Sequence, residues 1–206
     1  MRNIFIHGLG QTGESWNMTK QYLEEFDVET PNLFQNKLTE MSYVNLYQVF
    51  ANECNNKSGK LNLCGLSLGG LLALEYAKEY PDKVNSLILI GIPYQIPKVL
   101  FQIQKFIFKW MPRKSFEKMG INKGDFCRLV NSMYHIKISQ NLEKIKCKCL
   151  ILYGSKDYSN QKNAKQFSIG IPDSTIKMVA KSSHEVNMDQ PEALAHLIAE
   201  FWKESE

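Results

Sequence analysis

Apolar residues along this chain follow two rhythms. Short aliphatic runs at 4–7, 28–30, 61–64, 86–90, 149–153 and 175–179 read as strands. Their apolar positions are often consecutive, as in Leu87-Ile88-Leu89-Ile90, so both faces of these strands are expected to be covered. Between most of them lie stretches of period 3.6, near 15–26, 42–56, 68–80, 161–167 and 191–203, which read as helices. The alternation predicts an α/β fold: a doubly wound, mostly parallel six-stranded sheet with helices on both faces.

The alternation stops between Ile92 and Leu142, where the pattern is two or three helices without a strand. Val99, Ile103, Phe106, Ile107 and Trp110 share one helical face, and Lys98, Gln102, Lys105 and Lys109 share another. Pro93, Pro97 and Pro112 punctuate the segment. Residues 94–140 are therefore read as a helical cap inserted into a core formed by 1–93 and 141–206, one domain overall. A cap placed after a central strand overhangs the edge where parallel sheets bind ligands. Its Phe106, Trp110 and Tyr134 are candidate substrate contacts, although such aromatic stripes also serve plain packing.

Composition narrows the class. The chain has 206 residues, 44% hydrophobic and 22% charged, which fits one globular domain and excludes disordered, collagen-like and coiled-coil chains. No apolar run approaches the ~18–20 residues of a membrane span. The first residues are too short for the apolar core of an export signal and lack a small-residue cleavage site. Cys54, Cys64, Cys127, Cys147 and Cys149 have neither framework nor metal-ligand spacing, so free thiols in a reducing cytoplasm are expected. The net charge of +4 is too small to point to nucleic acid. It is unevenly placed: 94–140 carries nine basic and two acidic residues, which is compatible with steering of anionic substrates or with a solvated face.

Candidate chemistry sits at the predicted strand ends. Gly65-Leu66-Ser67-Leu68-Gly69 matches G-x-S-x-G, follows the strand at 61–64 and opens the helix near 68–80. A strand turning that sharply into a helix leaves no room for side chains beside the serine, hence the glycines. Ser67 Oγ would project at the top of the sheet as a nucleophile. A nucleophilic serine needs a base, and the base needs an acid to orient it. Of four histidines only His184, in the loop after the last strand, combines the same sheet edge with a loop position. Asp157 follows the strand at 149–153 at that edge, and the preceding strand ends in Gly91-Ile92-Pro93 with no acid. Asp189 reads as a helix-entry residue. The N–H groups of Leu68 and of Leu9, in the loop His7-Gly8-Leu9-Gly10, are the candidate oxyanion donors.

The order Ser67, Asp157, His184 matches that of α/β-hydrolases. HGLG at 7–10, GLSLGG at 65–70, EYPDKVNSLILIG at 79–91, CLILYGSKD at 149–157 and the His184 loop together resemble that fold family, in its small, single-cap, esterase-like form. The resemblance implies the same nucleophile, acid, base and oxyanion donors, and a cap over the pocket. It departs in two respects. The chain starts at the HG loop, implying a sheet that lacks the first two strands, and Ser183 stands where Gly often precedes the histidine. Serine as nucleophile argues against epoxide hydrolases and haloalkane dehalogenases. Leu68 argues against proline iminopeptidases, and Leu71 against the menaquinone-pathway synthase.

The expected activity is therefore serine hydrolysis of a small or medium carboxylic ester, with no metal or organic cofactor. Thioester hydrolysis, carbon–carbon hydrolysis, lyase chemistry and a non-catalytic ligand-binding role remain open at this point. The expected partner is a small ester or thioester, without nucleic acid or a membrane span, on a monomer or homodimer.

Overall fold

A computed structural model describes residues 1–35, 38–96 and 113–205, apart from the side chains of 113–115 and 135. Six strands, β1 (Arg2–Ile6), β2 (Val28–Glu29), β3 (Leu61–Leu66), β4 (Val84–Ile90), β5 (Lys148–Gly154) and β6 (Ser174–Val179), form one sheet. Their order is β2-β1-β3-β4-β5-β6 and every pairing is parallel. The order reverses between β1 and β3, so the loops leaving these two neighbours diverge and open a crevice at their C-terminal ends. The register brings those ends level: Ile6 faces Gly65, Leu66 faces Ile90, Ile90 faces Leu152, and Gly154 faces Val179.

The consecutive apolar residues of the strands serve two cores, as the period of two requires. On one face Ile4, Ile6, Leu63, Leu87, Leu89 and Ile151 pack beneath α2 (Tyr43–Asn55), α3 (Leu68–Glu79) and α6 (Tyr158–Gly170). On the other, Phe5, Leu66, Ile88, Ile90, Leu150 and Leu152 pack against Trp16 and α8 (Pro191–Lys203). In α8 the residues Leu194, Ala195, Ile198, Phe201 and Trp202 recur on one stripe and are buried. Truncating one of the central strand leucines or isoleucines to Ala is expected to destabilise by about 2–5 kcal/mol.

Two helices differ from the pattern. The stretch near 15–26 is a 3-10 turn at Gly13–Trp16 followed by α1 (Asn17–Gln21) only. The tighter turn carries the fully buried Trp16 onto Phe5, with ring centroids 4.8 Å apart. The chain then leaves the helix so that Phe26 reaches Trp202 at 5.1 Å before β2 begins. The helix expected near 161–167 is longer, because Asp157 caps it by accepting from the Asn160 N–H.

The described part of the inserted segment holds α4 (Arg113–Lys118) and α5 (Lys123–Ser132). Phe116, Met119, Phe126, Leu129, Val130 and Met133 are buried in the same core as the sheet. Phe116 and Phe126 meet edge to face at 5.5 Å, so these aromatics pack within the domain. The amphipathic helix read over 98–110, including Phe106 and Trp110, lies outside the described residues. No described helix is long and apolar enough to cross a membrane. No disulfide joins the five cysteines, all of which are buried, and burial pushes the Cys54 thiol up to about 12 and the Cys147 thiol to about 11.

Candidate active site

Ser67 is the single residue between β3 and α3, and its backbone is strained, with φ 51° and ψ −112°. This is a region side chains other than hydrogen rarely occupy. Close packing enforces it. A Cβ on Gly65 would stand 2.4 Å from the Gly69 carbonyl oxygen, and one on Gly69 would stand 2.2 Å from that of Ile6. The helix start is thus pressed onto the end of β1 and no side chain fits between them. Ser67 N–H donates to Ile90 O at 2.8 Å, anchoring the turn to the end of β4. Leu68 N–H, first in α3, finds no partner among the described residues, as expected for a helix start. Leu9 N–H, in the turn closed by Gln11 N–H donating to Gly8 O at 3.2 Å, finds none either.

Asp157 ends the turn after β5. Its Oδ2 accepts from His184 Nδ1 at 2.8 Å and from Asn160 Nδ2 at 2.7 Å, and its Oδ1 accepts from Ser159 Oγ at 3.0 Å. Burial opposes ionisation here, but the hydrogen bonds from His184, Asn160 and Ser159 outweigh it and hold the carboxyl down to about 2. The carboxylate side chain is 8% exposed and the imidazole 45%.

His184 follows β6 in a loop stitched to the Asp157 turn by Ser155 N–H to Val179 O and Lys156 N–H to Ser182 O, both 2.9 Å. Asp189, in the short helix α7 (Val186–Asp189), accepts from the Ser183 N–H and Oγ, each at 2.6 Å. Its carboxyl is lowered by these same Ser183 hydrogen bonds. It therefore holds the loop rather than merely entering a helix. The imidazole lies over Gly91, where an added Cβ would sit 3.1 Å from Nδ1. Ser67 is anchored to Ile90, the residue before Gly91, so nucleophile candidate and ring flank the same strand end. Asp157 and His184 are joined directly, whereas no hydrogen bond joins Ser67 to His184 among the described residues.

Gln11, not singled out from sequence, braces the loops that carry the candidate residues. Gln11 Nε2 donates to Glu185 Oε1 at 3.1 Å and to Asn187 Oδ1 at 3.3 Å. Its Oε1 accepts from Asn187 Nδ2 at 3.3 Å, from Ser15 Oγ at 3.2 Å and from Gly8 N–H at 3.4 Å. The first-strand loop and the segment after His184 are thereby tied together. His7 is buried: Nδ1–H donates to Gly8 O at 2.9 Å and Nε2 accepts from Leu33 N–H at 3.1 Å. Both nitrogens are used by the neutral ring, and burial lowers its pKa. Tyr134, 44% exposed, lines a cavity of about 390 Å³ with Tyr94, Ile96 and Ile136. No cluster of metal-ligating side chains occurs among the described residues.

The family model for the alpha/beta hydrolase fold matches residues 4–118. The chain belongs to the α/β-hydrolase fold family. Among relatives, this hydrolase-fold chain is 22% identical to human monoacylglycerol lipase ABHD6 over 191 residues, covering 72% of the chain and 57% of that protein. It is 32% identical over 93 residues to the pimeloyl-[acyl-carrier protein] methyl ester esterase of Wigglesworthia glossinidia brevipalpis, covering 43% and 35%. The chain thus spans less than two thirds of the length of these curated relatives. A Thermogutta terrifontis esterase superposes with TM-score 0.80 at 20% identity, over 100% of this chain and 90% of that one. MenH from S. aureus superposes with TM-score 0.82 at 18% identity, over 100% and 94%. These structural likenesses establish the shared fold.

Proposed function

We propose that this α/β-hydrolase-fold protein is a serine hydrolase that cleaves carboxylic esters of small or medium acyl chain. Ser67 is the nucleophile, His184 the base, Asp157 the orienting acid, and the N–H groups of Leu9 and Leu68 the oxyanion donors. The observation that carries the reading is the 2.8 Å Asp157–His184 pair at the strand end to which the strained Ser67 is anchored. A scaffold that only binds ligands has no need of that strain.

In the proposed cycle Ser67 Oγ bonds to the ester carbonyl carbon as His184 Nε2 takes its proton. Asp157 keeps the Nδ1–H tautomer and stabilises the imidazolium. The tetrahedral intermediate places its oxyanion toward the free N–H groups of Leu9 and Leu68. The carbon–alkoxy bond breaks, the alcohol leaves with the proton from Nε2, and water repeats the sequence to release the acid and Ser67.

Ester is preferred over thioester, carbon–carbon or lyase chemistry because the relatives above carry ester-hydrolase names. Residues 94–140 are proposed as the cap, with Tyr134, Phe106 and Trp110 contacting the acyl group. Five buried cysteines, none in a disulfide, support a reducing, cytoplasmic setting.

The reading is tested by turnover of p-nitrophenyl esters and matched thioesters of graded chain length, with Ser67→Ala as control. Ester turnover abolished in the variant supports it. A preference for thioesters would change the substrate class, and activity retained in Ser67→Ala would remove the nucleophile.

A further inference from the structure

Asp157 Oδ2 has two donors, not one. Asn160 Nδ2 reaches it at 2.7 Å and His184 Nδ1 at 2.8 Å, and the two nitrogens lie only 3.3 Å apart. Both carry hydrogen when the imidazole faces the carboxylate, so they converge on a single oxygen. The amide cannot turn away cheaply. Asn160 is 7% exposed, and its Oδ1 accepts from Asn163 Nδ2 at 2.8 Å, which fixes which end of the amide faces the carboxylate. The Asn160 backbone N–H meets the other carboxylate oxygen at 3.4 Å, at the helix cap. One residue therefore sets both the rotation of the Asp157 carboxylate and the share of its charge left for His184.

We infer that Asn160 is a positioning residue that acts through Asp157, tempering how strongly the carboxylate holds the protonated form of His184. The inference rests on the triad reading above. A donor competing for Oδ2 spreads its negative charge, so the imidazolium is held less tightly than by a carboxylate that faces it alone. Other charges near the ring are otherwise engaged. Glu185 bonds Gln11, and Asp189 bonds Ser183 with Lys156 nearby. Gly91 and Ile92 at the end of β4 contribute none.

The test compares the wild-type protein with Asn160→Leu, which removes the donor but keeps the branched outline of the side chain, and with Asn163→Ala, which only frees the amide. Two quantities are read: the acid limb of the kcat/KM profile, and the titration midpoint of the His184 ring protons followed by NMR. Both are expected to move to higher pH in Asn160→Leu, by about half a unit. A smaller move in the same direction is expected in Asn163→Ala. A fall in kcat with both midpoints unmoved would overturn the inference and leave Asn160 a structural residue. The NMR midpoint is read without turnover, so an inactive wild-type protein would remove the ester reading while the ring titration still decides the role of Asn160.

Discussion

Gln11 and Asn187, 176 positions apart in the chain, exchange side-chain amide hydrogen bonds of 3.3 Å in both directions. One follows the loop that offers Leu9 N–H, and the other follows His184. The bond pair makes a proposed oxyanion donor and the proposed base parts of one rigid unit. It also explains why Asn187 is fully buried: every polar atom of its amide is used.

Gln11→Ala breaks that unit. Because a displacement of about 1 Å in a reacting group costs on the order of 10²-fold, kcat for the ester is expected to fall about 10- to 100-fold with KM within about twofold. Steady-state kinetics on the best ester reads the split. If the pair acts jointly, Gln11→Ala/Asn187→Ala loses no more kcat than the worse single variant. Additive losses would mean the two residues act separately.

Ser67→Gly separates strain from chemistry. Glycine accepts φ 51° without penalty, so the variant is expected to gain about 1 kcal/mol of stability, or about 2–4 °C in Tm, while losing all ester turnover. A Tm at or below that of the wild type would show that the elbow is not strained.

Asp157→Asn keeps the shape of the acid and removes its charge. With its amide N–H against His184 Nδ1 it favours the tautomer that carries its hydrogen on Nε2, which cannot take the Ser67 proton. The expected fall in kcat is about 10³- to 10⁴-fold. Stability should change most above the range where the wild-type carboxyl ionises. Its folded-state value of about 2 lies below its ordinary 3.8, so the charge contributes stability above pH 3.8 that is lost as pH falls toward 2. Urea midpoints at pH 7 and pH 3 for both proteins check this, with the difference between them smaller at pH 3.

His7 predicts a separate acid sensitivity. Its folded-state pKa lies below the ordinary 6.5 because the ring is buried, so it contributes stability above pH 6.5 that is lost as pH falls through the folded value. Protonation would put a hydrogen on Nε2, where Leu33 N–H now donates. The wild-type unfolding midpoint is expected to decline between pH 6.5 and 5 more steeply than that of His7→Phe. Parallel curves would show that His7 is not the group responsible.

The sheet was legible because its signal is local: runs such as Leu87-Ile88-Leu89-Ile90 need only one residue's neighbours to be read, and the six strands follow them closely. The candidate nucleophile, acid and base were legible because strand ends and chain order locate them. What escaped were groups whose roles depend on partners far away in sequence. Gln11 is an ordinary turn residue until Asn187 folds onto it. Asp189 looks like a helix start, yet its carboxylate holds Ser183. Asn160 had a visible trace, since Asp157-x-x-Asn160 has the spacing of a helix cap, but nothing in that spacing shows its amide also facing His184. The first helix was overextended because its periodicity continues past Gln21, while the packing of Trp16 and Phe26 ends it.

An activated Ser67 should react with a fluorophosphonate, and intact mass reads the product. One covalent adduct on the wild-type protein, absent in Ser67→Ala and much slower to form in Asp157→Asn, is the predicted result. A folded wild-type protein that takes up no label, or a Ser67→Ala variant that is still labelled, would contradict it.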